Sequence, residues 1–290
     1  MTSPPTDLRD RPVAVIGAGT LGRRIALMFL SGGGVVRLCD LSEEQRTDAA
    51  AYVEETLPTV LEKVPGSRPG TLELTRSLEE AVADAWLVVE SLPERLEVKV
   101  PVFGRLDRLA PADTILVTNS SSHPSSRVIG EVTRPERVAN MHFFMPPVAT
   151  AVELMTCGHT HEDVFELLEA ELPRFGLTPF RARKESIGFI HNRIWAAIKR
   201  EALMVLHEGV AEPADVDKLY TMVLGARRGP FRAMDQVGLD VVLDIEENYA
   251  ASRQGLPDGP RQLLRRYIAD GRLGAKTGRG FYDDYEESPR

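Results

Sequence analysis

The chain has 290 residues, 43% of them hydrophobic and 27% charged, a length for one large domain or two unequal ones and a composition that buries a sizeable core. Its 43 acidic against 35 basic side chains leave a formal charge of -8, which argues against general affinity for nucleic acid or an anionic membrane, since both need a local excess of Lys and Arg. No apolar run approaches the roughly 18 to 20 residues of a spanning helix.

Residues 1–10 are polar and lack the apolar stretch of a secretory signal; they read as a flexible lead-in. Pro12 to Ile16 reads as a buried strand closed by a Gly-rich turn, and Leu21 to Leu30 carries apolar residues at helical spacing up to Gly32-Gly33-Gly34. Val35 to Cys39 is a second strand ending at Asp40, and Ser42 is placed to cap a long helix that opens Glu43-Glu44-Gln45. Further strands are expected at Trp86–Val89, Thr114–Val117, Arg137–Met141 and Ala151–Met155, with helices between several of them. Strand and helix alternating in this way call for a mainly parallel, Rossmann-type α/β sheet covered on both faces. Past about residue 184 the texture becomes helical. A long amphipathic helix over Ser186–Gly209 is expected, then helices from Ala214 and Leu239, and another beyond the Pro257-Asp258-Gly259-Pro260 break. After Thr178-Pro179-Phe180-Arg181, only Gly280-Phe281-Tyr282 reads as a late strand. The expected organisation is a nucleotide-binding domain over 11–184 and an all-α C-terminal domain over 185–290.

Gly17-Ala18-Gly19-Thr20-Leu21-Gly22 stands between the first strand and the first helix. Gly17 permits the tight turn, Gly19 lets a pyrophosphate approach the backbone, and Gly22 lets helix and strand pack closely. The free amides at the helix start, around Thr20 and Leu21, attract the diphosphate. Asp40, 18 residues beyond Gly22, can accept both ribose hydroxyls and would repel a 2′-phosphate. No Arg or Lys immediately follows it, so NAD is favoured over NADP.

Three later segments are distinctive in combination: Val117-Thr118-Asn119-Ser120-Ser121-Ser122, Asn140-Met141-His142-Phe143-Phe144-Met145-Pro146-Pro147 and Val152-Glu153-Leu154-Met155. Together with Gly188-Phe189-Ile190-His191-Asn192-Arg193, Gly229-Pro230-Phe231 and the closing Gly274 to Tyr282, the chain resembles the L-3-hydroxyacyl-CoA dehydrogenase family over nearly its whole length. The resemblance implies that His142 is the catalytic base, that Glu153 is its paired carboxylate, and that Ser121 and Asn192 hydrogen-bond the substrate. It also implies that Glu94, Lys99 and Asn119 complete the cofactor pocket. An imidazole, which titrates near pH ~6.5 in ordinary surroundings, is suited to taking the hydroxyl proton of a secondary alcohol. Outside this pattern, His142 beside two phenylalanines reads as a core histidine, and Ser121 and Asn192 as turn or cap residues.

Three positions depart from the family. Met145 stands where Asn is usual, and a thioether cannot replace an amide's donors and acceptor. Ile187 replaces a usual Pro, and Arg227-Arg228 precede Gly229 where less charged residues are common; the arginine pair reads as a solvated turn or as a partner for an anionic substrate group.

The expected activity is therefore NAD-dependent interconversion of a 3-hydroxyacyl thioester, carried by coenzyme A or a carrier protein, with its 3-oxo form, a step of fatty-acid metabolism. The alternatives are a dehydrogenase of a free polar hydroxy acid and a non-catalytic NAD-binding homologue. Relatives dimerise through the C-terminal domain, which implies a homodimer. Cys157-Gly158-His159-Thr160-His161 lacks the partners of a zinc site, and no metal is expected; Ser122-His123 lacks the setting of a hydrolase nucleophile. With two cysteines, too few for a disulfide framework, a cytoplasmic setting is expected.

Overall fold

The structure, a computed structural model, describes residues 3–285. Residues 1–2 of the N-terminal segment and 286–290 of the C-terminal region lie outside the described residues. In chain order the elements are β1 (Val13–Ile16), α1 (Thr20–Leu30), β2 (Val35–Cys39), α2 (Glu43–Lys63), β3 (Thr71–Thr75), α3 (Leu78–Val82), β4 (Leu87–Glu90), α4 (Leu96–Leu109), β5 (Ile115–Thr118), β6 (Val138–Phe143), β7 (Ala151–Thr156), α5 (Glu162–Glu171) and β8 (Thr178–Ala182). They are followed by α6 (His191–His207), α7 (Pro213–Leu224), α8 (Pro230–Val237), α9 (Leu239–Ser252) and α10 (Gly259–Ala269). The chain divides into two compact units, one ending at Ile190 and one beginning at His191.

The first unit is one sheet in the order β3-β2-β1-β4-β5-β6-β7-β8. All pairings are parallel except β6 with β7, as expected of a Rossmann-type sheet. Because side chains alternate along a strand, β1 sends Val13 and Val15 to one face, under α1, α2 and α5, and Ala14 and Ile16 to the other, under α3 and α4. Covering both faces explains why the central strands are apolar throughout. Ser42 caps α2 as expected, its hydroxyl accepting from the Gln45 N–H.

One strand, β3, was not evident in the sequence, whereas β8 falls on Thr178-Pro179-Phe180-Arg181, the last strand-like stretch before the helical region. β3, Thr-Leu-Glu-Leu-Thr, is an edge strand with exposed or half-buried residues throughout. β8 carries Pro179, which an edge strand tolerates because the missing N–H belongs to no ladder.

The second unit packs its helices around Leu203, Phe231, Met234, Leu239, Val242 and Leu264. α6 begins at His191 rather than Ser186: Gly188 and Phe189 have positive φ, +76° and +53°, which a helix cannot accommodate. The strand expected at Gly280-Phe281-Tyr282 does not form. The N–H groups of Phe281 and Tyr282 donate instead to the Asp235 carboxylate, at 2.9 and 3.0 Å, which removes them from any ladder.

Candidate active site

The turn after β1 shows why its three glycines are needed. Gly17 has φ +104°, and a Cβ there would press on the Ser91 carbonyl oxygen. At Gly22 a Cβ would run into the Gly17 carbonyl. At Gly19 it would meet nothing: protein packing leaves that side free, and a ligand's phosphate has the room. Asp40, just past β2, accepts the Ala18 N–H at 2.8 Å and the Ser42 N–H at 2.9 Å, so its carboxylate is fixed at the rim of the turn. Arg46, six residues on, does reach Asp40, which sequence adjacency did not reveal; its guanidinium is bound to the Asp40 carbonyl. These residues fit a dinucleotide. Asp40→Ala is expected to raise the KM for NAD about tenfold or more, the scale of charge-assisted bonds to two hydroxyls, and to narrow the preference over NADP. Steady-state kinetics with both cofactors checks this; an unchanged ratio would refute the ribose role.

A second network lies across the ends of β4 and β5. Lys99 of α4 is 1% exposed, and its ammonium donates to Glu90 at 2.8 Å and to the Leu92 carbonyl at 3.2 Å and pairs with Glu94 at 3.2 Å. Glu90, with 0% exposure, also accepts from the Leu92 N–H and the Thr118 hydroxyl. Glu94 accepts from the Ser120 hydroxyl and the Ser122 N–H, and thereby grips the turn bearing Ser121, which is exposed. Asn119 on the same turn accepts the Phe143 N–H at 2.9 Å and so ties the turn to the end of β6. Buried Asn140 holds the far side through the Ser125 N–H and the His123 carbonyl. Glu90 and Asn140 were not singled out from the sequence as functional residues, although a carboxylate closing the apolar run Leu87-Val88-Val89 is a signal in itself.

Burial alone would push the Glu94 carboxyl up, but the Ser120, Ser122 and Lys99 donors outweigh it and hold it below the ordinary carboxylate range. A depressed folded-state pKa gives stability that is full above the unfolded value, near ~4.3, and is lost as pH falls through the lower folded value. Thermal melts from about pH 6 down to about pH 3 are expected to fall more steeply for the native chain than for Glu94→Gln. Parallel curves would remove this assignment.

His142 and Glu153 are direct cross-strand neighbours in the antiparallel β6–β7 pair, where side chains on one face meet. His142 is 7% exposed and Glu153 2%, and His142 Nδ1 lies 3.0 Å from Glu153 Oε2. An ionised carboxylate only accepts, so the neutral imidazole tautomer that suits this contact has its proton on Nδ1 and the lone pair on Nε2. Glu153 Oε1 accepts the Ile190 N–H at 2.9 Å. The positive φ of Phe189, unusual for a bulky residue, accompanies this approach; its ring centroid lies 5.1 Å from that of His142, with Phe144 at 4.8 Å on the same imidazole. Met145 is 42% exposed and supplies no amide. Asn192 is on the first turn of α6 in the second unit. Arg227 and Arg228, also there, are exposed at an open cavity of about 470 Å³. Among the described residues no group of His, Cys, Asp or Glu is arranged to hold a metal ion, and no helix is long and apolar enough to cross a membrane.

A parallel sheet with a glycine turn opening α1 and an acidic residue closing β2 defines a dinucleotide-binding protein of the dehydrogenase type. Residues 12–186 match the family "3-hydroxyacyl-CoA dehydrogenase, NAD binding domain" and residues 188–284 match "3-hydroxyacyl-CoA dehydrogenase, C-terminal domain". The chain belongs to the 3-hydroxyacyl-CoA dehydrogenase family of NAD-dependent oxidoreductases. It is 35% identical to a probable 3-hydroxybutyryl-CoA dehydrogenase of Bacillus subtilis, over 96% of this chain and 98% of that one. The solved structure of (S)-3-hydroxybutyryl-CoA dehydrogenase from Ralstonia eutropha superposes with a TM-score of 0.83 at 29% identity, covering 97% of this chain and 100% of that chain. A Mesorhizobium japonicum relative, 28% identical over 94% of this chain and 90% of its own, is a 5-formyl-3-hydroxy-2-methylpyridine 4-carboxylate 5-dehydrogenase.

Proposed function

We propose that the chain interconverts a 3-hydroxyacyl thioester, most simply a coenzyme A ester, and its 3-oxoacyl form, with His142 as base and Glu153 as the group that orients it. The observation that carries this reading is the buried His142–Glu153 pair, which leaves Nε2 as the available ring nitrogen. NAD, when bound at the Gly17–Gly22 turn, supplies the hydride acceptor. Nε2 takes the hydroxyl proton, and the Glu153 carboxylate stabilises the imidazolium so formed. In the reverse direction the protonated ring returns that proton to the ketone oxygen. Ser121 and Asn192 have, by family resemblance, the duty of hydrogen-bonding the substrate's oxygens. Thr20 and Leu21 belong to the phosphate-binding helix start. Lys99 serves the cofactor pocket by holding Glu90 and Glu94 in place, its own charge being fully engaged.

A free carboxylate-bearing hydroxy compound is the second reading, favoured by the substrate in the name of the Mesorhizobium relative. Measuring NADH formed from a panel of 3-hydroxyacyl-CoAs, their carrier-protein esters and free hydroxy acids separates the readings. Turnover is expected with a CoA ester; tight NAD binding with no turnover of any compound would leave a non-catalytic homologue. The proposed setting is the cytoplasm and fatty-acid metabolism, with a homodimer formed through the C-terminal unit, where Leu219, Met222 and Val223 lie exposed at i, i+3, i+4 spacing on α7.

A further inference from the structure

Two arginines directly follow the last glycine of the dinucleotide turn. Arg23 and Arg24 extend from α1 to the same ring on α2: their guanidinium carbons lie 4.9 and 5.1 Å from the centroid of Tyr52. Arg24 Nη1 also donates to the Tyr52 hydroxyl at 3.0 Å and to the Pro146 carbonyl at 2.9 Å. Two like charges thus share one aromatic ring. Asp48 and Glu55 stand one turn along α2 on either side of Tyr52, yet neither forms an ion pair with the arginines, and neither arginine is in an ion pair among the described residues. The Nε atom of each is buried with no hydrogen-bond partner.

This arrangement is costly as it stands. Paired guanidiniums repel, and a buried donor left unsatisfied loses its hydration without return; such groups call for an explanation, one of which is a role in binding an anion. Side chains on a helix lean toward its N-terminus, so both arginines lean back toward the Gly17–Gly22 end of α1. Pro146, which Arg24 touches, is four residues beyond His142 on the loop leaving β6. The pair therefore lies between the dinucleotide turn and the loop that follows the proposed base.

We infer that Arg23 and Arg24, braced on Tyr52, form an oxyanion-binding site for the charged end of the substrate, a phosphate or a carboxylate. This assignment rests on the dehydrogenase reading above for the word substrate, but not for the site. Guanidinium forks bind both groups in the same geometry, so the phosphates of a coenzyme A carrier and the carboxylate of a free acid are its two sources. Tyr52 holds the forks in place and lowers the entropy cost of engaging the anion.

The test compares Arg23→Gln, Arg23→Lys and Arg24→Gln with the native full-length chain. The Arg23 side chain donates no hydrogen bond to a described protein group, and glutamine keeps much of its stem, so folding is spared. The substrates are 3-hydroxybutyryl-CoA, its phosphate-free N-acetylcysteamine thioester and free 3-hydroxybutyrate. If phosphate is the ligand, Arg23→Gln raises the KM for the CoA ester about tenfold or more with little change in kcat, spares the N-acetylcysteamine ester, and is partly rescued by lysine. If carboxylate is the ligand, the same rise appears with the free acid instead. A KM that Arg23→Gln leaves unchanged, or raises equally, for all three compounds overturns the site, and a loss confined to NAD affinity also overturns it, by assigning the arginines to the dinucleotide. Calorimetric titration of coenzyme A, and separately of 3-hydroxybutyrate, into NADH-saturated protein needs no turnover. Should no thioester react, the dehydrogenase reading fails, and the titrations still decide the site: binding weakened by Arg23→Gln supports it, and binding that is unchanged or absent overturns it.

Discussion

Replacing His142 with alanine is expected to lower kcat by about 10²- to 10⁴-fold, the range of a positioned general base, while NAD affinity stays within about twofold. The separation follows from the fold. The turn that fits the dinucleotide belongs to β1, α1 and the end of β2, whereas His142 is on β6, beyond β4 and β5 in the sheet. Removing the imidazole leaves the Glu153 carboxylate buried, with the Ile190 N–H still donating to it, so some loss of stability accompanies the loss of rate. Glu153→Gln is the finer probe. It keeps the shape and a hydrogen bond but removes the charge that stabilises the imidazolium, and an intermediate loss in kcat is expected. Pre-steady-state and steady-state rates with the best substrate of the panel decide the matter; a His142→Ala enzyme of full activity would end the base assignment.

Replacing Lys99 with methionine is expected to destabilise the first unit by about 3–5 kcal/mol, because it leaves the Glu90 carboxylate without its cation in a fully buried position. That corresponds to a fall in Tm on the order of 10 °C for a domain of this size. Because Glu94 loses the same partner, the Ser120–Ser122 turn loosens too, and activity should fall further than stability alone explains. Pairing Lys99→Met with Glu90→Gln removes the stranded charge and should restore part of the loss, a non-additivity read by a double-mutant cycle. A single mutant as stable as the native chain would show that Lys99 is not the counter-charge the geometry makes it.

The strands that proved easiest to read were the central ones. β1, β4 and β5 are buried on both faces, so nearly every residue is apolar and the run is unmistakable. β3 stands at an edge and has no fully buried residue, so the apolar pattern is missing there. Gly280-Phe281-Tyr282 has strand-like composition, but Asp235, far away in sequence, takes its N–H groups. Such a competition is invisible without the tertiary partner. The same holds for the start of α6, where the chain adopts positive φ at Gly188 and Phe189 and delivers the Ile190 N–H to Glu153.

The class of protein is legible in the order of residues: a glycine turn between a strand and a helix, followed at the right distance by Asp40, is local chemistry, and its meaning does not depend on what else is nearby. The sequence also supplied His142 and Glu153 as an expected base and its paired carboxylate through a family pattern. It took the folded chain to show that these two are cross-strand neighbours in hydrogen-bonding contact, that Lys99 has its charge consumed by Glu90 and Glu94, and that Arg23 and Arg24 meet on the Tyr52 ring. The physical reason is common to all three. Side-chain electrostatics depend on distances of a few ångströms between residues that are 5 to 29 positions apart in the chain, and strand register and helix packing, not sequence spacing, set those distances.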